Sequence, residues 1–180
     1  MEEPEPQVIG AARTGDSGAF ETLVRSYQAD VWRLTYRLVR DRSLADDITQ
    51  DAFLRAFRFL PRFRGEAKFS TWLFTIARNC AHDELRRAGR RRTLEHTLEH
   101  ADQPRPSEPG LWVEIREAVA GLSLELREPL VLIDMFGLSY SEVGTILELP
   151  LGTVKSRVHR ARHLLAEHLA GDVERAQGEI

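Results

Sequence analysis

The chain has 180 residues, 42% of them hydrophobic, and a net charge of −3, which suits one medium or two small domains with real cores. No apolar run approaches the roughly 18 residues that a membrane span needs, and the acidic first six residues are the opposite of a signal peptide. The single cysteine, Cys80, excludes an internal disulfide and a cysteine-rich zinc site. We therefore expect a cytoplasmic protein, with residues 1–17 as an N-terminal tail.

The first predicted block, residues 18–88, begins with two helices. Apolar residues at helical spacing indicate a long amphipathic helix: Phe20, Leu23, Val24, Tyr27, Val31, Leu34 and Leu38. Ser43, followed by Asp46, suggests a capped start for a second helix over about 44–60. The buried side of that helix is predicted to carry Ile48, Ala52, Ala56 and Phe57.

A charged loop, residues 61–68, leads into a third helix predicted over residues 70–88. Its inward positions are Leu73, Ile76, Ala77, Cys80 and Ala81. Cys80 is therefore interpreted as a packed thiol, while Arg78, His82 and Arg86 point the other way.

Residues 89–111 are predicted to form a flexible linker. Three prolines and a glycine deny most of this stretch a regular element: Pro104, Pro106, Pro109 and Gly110. Acidic residues also predominate from 93 to 111, with Glu95, Glu99, Asp102 and Glu108 against Arg105. The sequence leaves open whether this linker is only a passive tether.

The second predicted block covers residues 112–170, with residues 171–180 as a C-terminal tail. It begins with a helix through Leu122 and a helix from Ser123 to Phe136, which Pro129 should bend or weaken. No strand pattern of any length occurs in the sequence. We therefore predict an all-α fold of two small helical domains.

A helix-turn-helix follows in the same block. Ser139 and Glu142 have the spacing of a capping box at the start of a short helix. Residues 148–150 break the pattern, and a longer helix starts at about Leu151. Two helices joined by a tight turn, the second one basic, form the arrangement that enters a DNA major groove.

The second of these helices has two different faces at about 100° per residue. One face is apolar: Val154, Val158, Ala161 and Leu165. The opposite face carries Gly152, Ser156, His159, Arg160 and His163. Basic residues are frequent and acidic ones absent between 150 and 166: Lys155, Arg157, Arg160 and Arg162. This pattern predicts a DNA reader, although a solvated surface helix is the alternative.

Four segments occur in one order: ADDITQDAF (45–53), FSTWL (69–73), GLSY (137–140) and LPLGTVKSR (149–157). Together they resemble bacterial RNA polymerase sigma factors of the extracytoplasmic-function class, over residues 18–169. The resemblance implies sigma region two and a region-four helix-turn-helix joined by a flexible linker. It also implies a dissociable promoter-specificity subunit that binds core RNA polymerase, recognises the minus-thirty-five and minus-ten elements and directs transcription initiation.

The resemblance further implies a polymerase-binding helix that docks on the clamp of the largest subunit. The residues concerned are Asp47, Gln50, Asp51 and Leu54. For Asp46 and Asp47 the helix macrodipole is a competing explanation, whereas Asp51 lies too far into the helix. The flap of the second-largest subunit is the other expected polymerase contact. An anti-sigma factor remains open as a partner, and we expect no membrane contact and a monomer when free.

The resemblance also implies which residues contact each of the two promoter elements. The loop 63–69 is similar to one that captures a base flipped out of the minus-ten element. Minus-ten binding is implied for Phe63, Arg64, Lys68, Arg78, Asn79, His82 and Arg86. Phe63 and Phe69 could equally be core plugs at helix ends. Minus-thirty-five binding is implied for Thr153, Lys155, Ser156, Arg157, His159, Arg160 and His163.

No catalytic constellation is evident, and we expect neither enzyme activity nor a cofactor or metal. His96 and His100 are four residues apart but have no further ligand beside them. Two other functions remain. One is a stand-alone helix-turn-helix regulator with a helical dimerisation or sensing domain, and the other is an adaptor that makes only protein contacts.

Overall fold

The computed structural model describes the backbone of residues 3–94 and 111–178, and the side chains of residues 3–89 and 115–170. This described part is helical, with no strand in it, and the chain divides into two compact units, residues 1–102 and 103–180. None of the described helices is long and apolar enough to cross a membrane. Most of the predicted linker, residues 95–110, lies outside the described residues.

The first unit is a bundle of four helices. They are α1 (Pro6–Arg13), α2 (Ser17–Val39), α3 (Arg42–Phe59) and α4 (Phe69–Leu94), with a 3-10 turn at Leu60–Arg62. Helix α2 packs against the other three, and α3 packs against α4. The core consists mainly of large side chains that are almost fully buried: Leu23, Tyr27, Val31, Leu34, Leu60, Phe69, Leu73 and Phe74.

Cys80 is buried among these helices. Desolvation raises the pKa of its thiol to about 12, despite the opposing effect of the nearby Arg55 guanidinium. The thiol is therefore a packing group, as the helical spacing predicted.

The structure corrects both predicted tails and one linker boundary. Residues 6–13 form α1, because Pro6 suits the first helical turn and Ala12 is buried where α1 packs on α2. Helix α4 continues to Leu94, so residues 89–94 are helical instead of linker. Likewise, the last helix continues to Gly178.

Two predictions for α3 were also wrong. The cap is Asp41, whose side chain accepts a hydrogen bond of 2.9 Å from the Leu44 amide, and it replaces the expected Ser43 cap. Phe57 is 46% exposed, while Phe53 takes the buried position. Because α3 starts two residues earlier than predicted, the Asp41 side chain can accept a hydrogen bond from an amide of its first turn.

The second unit contains α5 (Leu111–Gly121), α6 (Leu124–Leu130), a π-helical turn (Val131–Met135), α7 (Tyr140–Leu147) and α8 (Leu151–Gly178). Pro129 lies in the last turn of α6, directly before the π-helical turn, which agrees with its predicted disturbance of the helix. One core cluster joins α5, α6 and α8 through Val119, Leu122, Leu126, Leu130, Ala161 and Leu165. The buried Arg127 guanidinium donates to the Ala120 and Leu122 carbonyls at 2.8 and 2.7 Å, and so satisfies the end of α5.

Candidate polymerase and nucleic-acid interfaces

The turn between α7 and α8 is fixed by local hydrogen bonds. Ser139 and Glu142 form the predicted capping box: the Ser139 amide donates to the Glu142 carboxylate at 2.7 Å, and the Glu142 amide donates to Ser139 Oγ. Helix α7 ends at Leu147, and its cap residue Glu148 has a left-handed backbone with φ of 55°. The Leu149 amide then donates to the Gly144 carbonyl at 2.9 Å, which closes the turn.

Helix α8 has the two faces that its sequence predicted. Val154, Val158 and Ala161 are completely buried, and Leu165 packs against the core cluster. The opposite side is exposed and carries Lys155, Ser156, His159, Arg160 and His163. Thr153 is half-buried at the start of the helix, where its carbonyl accepts a hydrogen bond of 3.0 Å from Ser156 Oγ.

Two of the four basic residues between 150 and 166 are paired with acidic residues of the same unit. Arg157 is half-buried and lies 3.6 Å from the Glu125 carboxylate on α6. Arg162 donates to both carboxylate oxygens of Asp134, at 2.5 and 3.2 Å. These two arginines help to hold α8 in place on the unit.

The other two basic residues, Lys155 and Arg160, are exposed and have no ion-pair partner among the residues whose side chains the structure describes. Arg160 is on the same side of α8 as Ser156 and His163, at the helical spacing of four and three residues. The exposed stripe is narrower than the set of residues predicted to bind DNA, because Thr153 and Arg157 are half-buried. The exposed side chains of this stripe are accessible to a partner that binds α8 from the solvent side.

A second basic stripe lies on α4. Arg78, His82 and Arg86 are spaced four residues apart and therefore share a face of the helix. The Arg86 guanidinium is 67% exposed and donates to Asp83 at 2.5 Å. The exposed Asn79 lies beside this stripe, and its amide oxygen accepts a hydrogen bond of 3.4 Å from Arg78.

The predicted base-capture loop joins α3 to α4. Phe63 is only 8% exposed and packs on Phe69 and Trp72, with ring centroids 5.9 and 5.1 Å apart. In this conformation the Phe63 ring is a plug in the core, one of the two roles left open by the sequence. The polar part of the loop is exposed, since Arg64 and Lys68 reach solvent and Arg64 lies 3.7 Å from Glu66.

An apolar groove of about 770 Å³ lies between α2 and α3 in the first unit. Its lining is Phe20, Val24, Gln28, Ala29, Trp32, Asp46, Thr49, Gln50, Phe53, Leu54 and Phe57. Leu54 and Phe57 are 51% and 46% exposed at this groove, and Phe57 meets Phe20 edge-to-face at 5.0 Å. Two predicted polymerase contacts, Gln50 and Leu54, therefore share one concave apolar surface.

The acidic residues near the groove differ in their partners. Trp32 Nε1 donates to Asp46 at 2.6 Å, so this carboxylate joins α2 to α3. Asp51 lies 2.9 Å from Arg55, with its side chain 47% exposed. Asp47 is exposed on the surface of α3. Asp47 and Asp51 are thus accessible to a partner, whereas the Asp46 carboxylate is hydrogen-bonded within the unit to Trp32.

The comparisons with known proteins cover both units. Residues 23–91 match the Sigma-70 region 2 family and residues 112–165 match the Sigma-70 region 4 family. The chain is 34% identical to the RNA polymerase sigma-H factor of Pseudomonas aeruginosa, over 93% of this chain and 95% of that protein. It is 33% identical to the ECF RNA polymerase sigma factor SigW of Bacillus subtilis, over 89% and 94%.

The chain belongs to the ECF class of RNA polymerase sigma factors. Solved structures agree with this sigma factor in fold. The sigma factor RpoE of Bartonella quintana, solved with the anti-sigma factor NepR, has a TM-score of 0.75 and 28% identity, over 84% of this chain and 96% of that one. CnrH, solved with the cytosolic domain of CnrY, has a TM-score of 0.71 and 26% identity, over 92% and 97%.

The sigma factor is therefore a promoter-specificity subunit of RNA polymerase that directs transcription initiation. The stand-alone regulator is not favoured, because the first unit matches sigma region 2 instead of a dimerisation or sensing domain. Within the described residues no three metal-ligating side chains converge, and His96 and His100 lie outside them.

Sequence reasoning missed part of the sigma factor's groove. Phe57 was expected to be buried, and the walls contributed by Phe20, Val24 and Trp32 of α2 were not assigned to a site. The available signal was that Phe20, Val24 and Trp32 widen the apolar face of α2 beyond its fully buried residues. A spare apolar strip on such a helix indicates a second contact.

Proposed function

We propose that the α2–α3 groove is the surface by which this sigma factor docks on the clamp of the polymerase largest subunit. The observation that carries the proposal is the half-exposed Leu54 in an apolar groove beside the accessible Asp47 and Asp51. Large exposed apolar patches mark interaction sites in soluble proteins. Leu54 and Gln50 would lie at the centre of the interface, with the two carboxylates facing basic partner residues at its rim.

We further propose that α8 reads the minus-thirty-five element from the major groove. Lys155, Ser156, His159 and Arg160 would contact base edges and phosphates, because they lie on the exposed face opposite Val154. Thr153 and His163 would contact the flanking phosphates from either end of this stripe. Arg157 has a weaker claim to DNA contact, since it already pairs with Glu125.

The minus-ten element is assigned to the loop 63–69 and α4. Arg78, His82 and Arg86 would follow the strand backbone, and Asn79 would read a base edge, since its amide both donates and accepts. Arg64 and Lys68 would hold phosphates at the loop. Phe63 would support the capture pocket from the core.

The remaining partners are proposed from the family. The region-four unit would contact the flap of the second-largest subunit, and the free protein would be a cytoplasmic monomer without enzyme activity of its own. The Bartonella quintana sigma factor was solved with an anti-sigma factor, and a protein of that kind is proposed as an inhibitor here. The α2–α3 groove offers it an apolar surface to cover.

Competition for core polymerase tests the docking proposal. The purified chain should assemble with core enzyme and direct it to initiate at a cognate promoter. A peptide that reproduces the clamp helices of the largest subunit should compete for assembly. Assembly that is insensitive to this peptide would place the docking surface elsewhere on the chain.

A further inference from the structure

The first turn of α4 is capped from a distant part of the chain. The Lys68 carbonyl accepts from the Trp72 amide at 3.1 Å, so Lys68 occupies the cap position, and its side chain has no acceptor atom. The Phe69 and Ser70 amides donate instead to the Glu3 carboxylate, at 3.0 and 3.3 Å. The Ser70 hydroxyl also donates to that carboxylate.

The residues that receive this cap are buried, whereas Glu3 itself is exposed. Phe69 and Ser70 are each 2% exposed, and the Tyr27 ring packs edge-to-face on Phe69 with centroids 5.5 Å apart. Burial raises the pKa of the Tyr27 hydroxyl, and the negative charge of Glu3 raises it further. Hydrogen bonds to an ionised carboxylate at a helix N-terminus are stronger than neutral ones.

The segment that carries Glu3 is itself anchored. Glu3 is followed by Pro4, and α1 starts at Pro6 and packs against α2. Only two residues, Pro4 and Glu5, therefore separate Glu3 from a helix that belongs to the bundle. Because this connection is short, the position of α1 limits where the carboxylate can lie.

The capped residues are also the end of the base-capture loop. Phe63 packs on Phe69, so the two ends of the loop meet at the residue whose amide Glu3 holds. Lys68, a proposed phosphate contact, directly precedes it. A change in the first turn of α4 would therefore move both the aromatic support and the basic side chain of the loop.

We propose that Glu3 is a positioning residue for minus-ten recognition, which holds the first turn of α4 and the adjoining loop in the conformation that receives the flipped base. This inference rests on the proposed assignment of the loop 63–69 to base capture. Glu3 itself does not contact DNA in this mechanism. Its effect passes through the Phe69 and Ser70 amides.

The test compares Glu3→Ala with Glu5→Ala in the full chain. Glu5 is exposed, and as the cap residue of α1 it makes no side-chain cap hydrogen bond, so it is a matched control. Holoenzyme with Glu3→Ala should bind a single-stranded minus-ten oligonucleotide about fivefold more weakly, the loss expected for one helix cap. Binding to core polymerase and to a minus-thirty-five duplex should equal that of wild type.

Two further measurements separate positioning from a general loss of structure. Amide exchange at Phe69 and Ser70 should become faster in Glu3→Ala while exchange in α2 is unchanged. Glu3→Gln, which keeps one acceptor oxygen, should recover part of the oligonucleotide binding. Unchanged or tighter oligonucleotide binding by Glu3→Ala would overturn the inference, and tighter binding would mean that the carboxylate occupies the place of a DNA phosphate. Failure of the wild-type holoenzyme to capture the oligonucleotide would instead remove the minus-ten assignment itself.

Discussion

The Arg55 guanidinium of α3 lies 3.0 Å from the Asp83 carboxylate of α4. Asp83 also accepts a hydrogen bond from Arg86. The hydrogen bond from Arg86 and, to a smaller extent, the one from Arg55 lower the pKa of the Asp83 carboxyl group. Arg55 in turn pairs with Asp51, a proposed polymerase contact. A single chain of ion pairs thus joins α3, the proposed polymerase-docking helix, to the basic stripe of α4.

Asp83→Asn should lower the free energy of unfolding at neutral pH by at most about 1 kcal/mol, because the side chains of Arg55 and Asp83 are about a third exposed and water screens them. A carboxyl group whose pKa is lowered by folding stabilises the protein above its ordinary pKa of about 3.9. That contribution disappears as the pH falls through the lowered, folded-state value. Urea unfolding of both proteins from pH 7 to pH 2 checks this, and a difference that grows toward acid pH would contradict it.

Arg160→Ala should weaken binding of the holoenzyme to a cognate promoter by about 1–3 kcal/mol if the side chain is bidentate to a guanine. The matched control is Arg162→Ala, on the same helix, whose guanidinium is paired with Asp134. This control should lower the thermal stability slightly and leave base preference unchanged. Promoter titrations with single-base variants of the minus-thirty-five element distinguish the two. Equal losses in both variants would remove Arg160 from the reading face.

Leu54→Ala should weaken assembly with core polymerase about tenfold, a loss of about 1.4 kcal/mol that is typical of a central interface residue. Phe59→Ala is the control, because Phe59 is 47% exposed on α3 but does not line the groove. Circular dichroism should stay helical in both variants. Competition for core enzyme against the wild-type chain measures the effect, and full assembly by Leu54→Ala would count against the groove.

Gly144→Ala should destabilise the second unit by about 1–3 kcal/mol, since a Cβ atom there would lie 3.1 Å from the Leu149 carbonyl oxygen. Backbone, rather than a flexible side chain, would have to move to make room. Gly152→Ala is the paired control, because a Cβ atom at that position meets nothing within 4 Å. Thermal unfolding should show a clear drop for the first variant and little change for the second.

Specific promoter binding near physiological salt should require core enzyme. With a net charge of −3 and basic groups divided between two units, each unit neutralises only a few phosphates, and such binding falls steeply with salt. Polymerase would hold both DNA-binding units, so that binding of one unit to the promoter raises the effective concentration of the other at its own element. A mobility-shift titration with and without core enzyme provides the measurement. Tight, sequence-specific binding by the isolated chain would contradict this mechanism.

Helical periodicity predicted the all-α fold and the faces of α8 because both depend on contacts between residues three and four apart. Val154 and Val158 are buried as expected, and Ser139 with Glu142 forms the expected capping box. Pro129 also precedes an irregular turn. These features are local, and the residues that determine them lie within one or two turns of the helix.

Contacts between distant segments could not be read in the same way. Periodicity does not reveal that Glu3 caps α4 or that Asp134 holds Arg162, because nothing local connects these residues. The second pair assigns a structural role to Arg162, one of the four basic residues between 150 and 166 and one that was not assigned to DNA. Phe57 was misplaced for a related reason: its exposure depends on where α2 leaves α3 uncovered.

Burial of Cys80 has a practical consequence for fluorescence labelling. It is the only cysteine of the chain, and a buried thiol with a pKa of about 12 offers almost no thiolate to a maleimide at neutral pH. A cysteine introduced at an exposed position such as Ser156 or Glu66 should therefore take up a dye alone, with the native residue left in place. One dye in each unit would then report, by energy transfer, the distance between the two units with and without core polymerase.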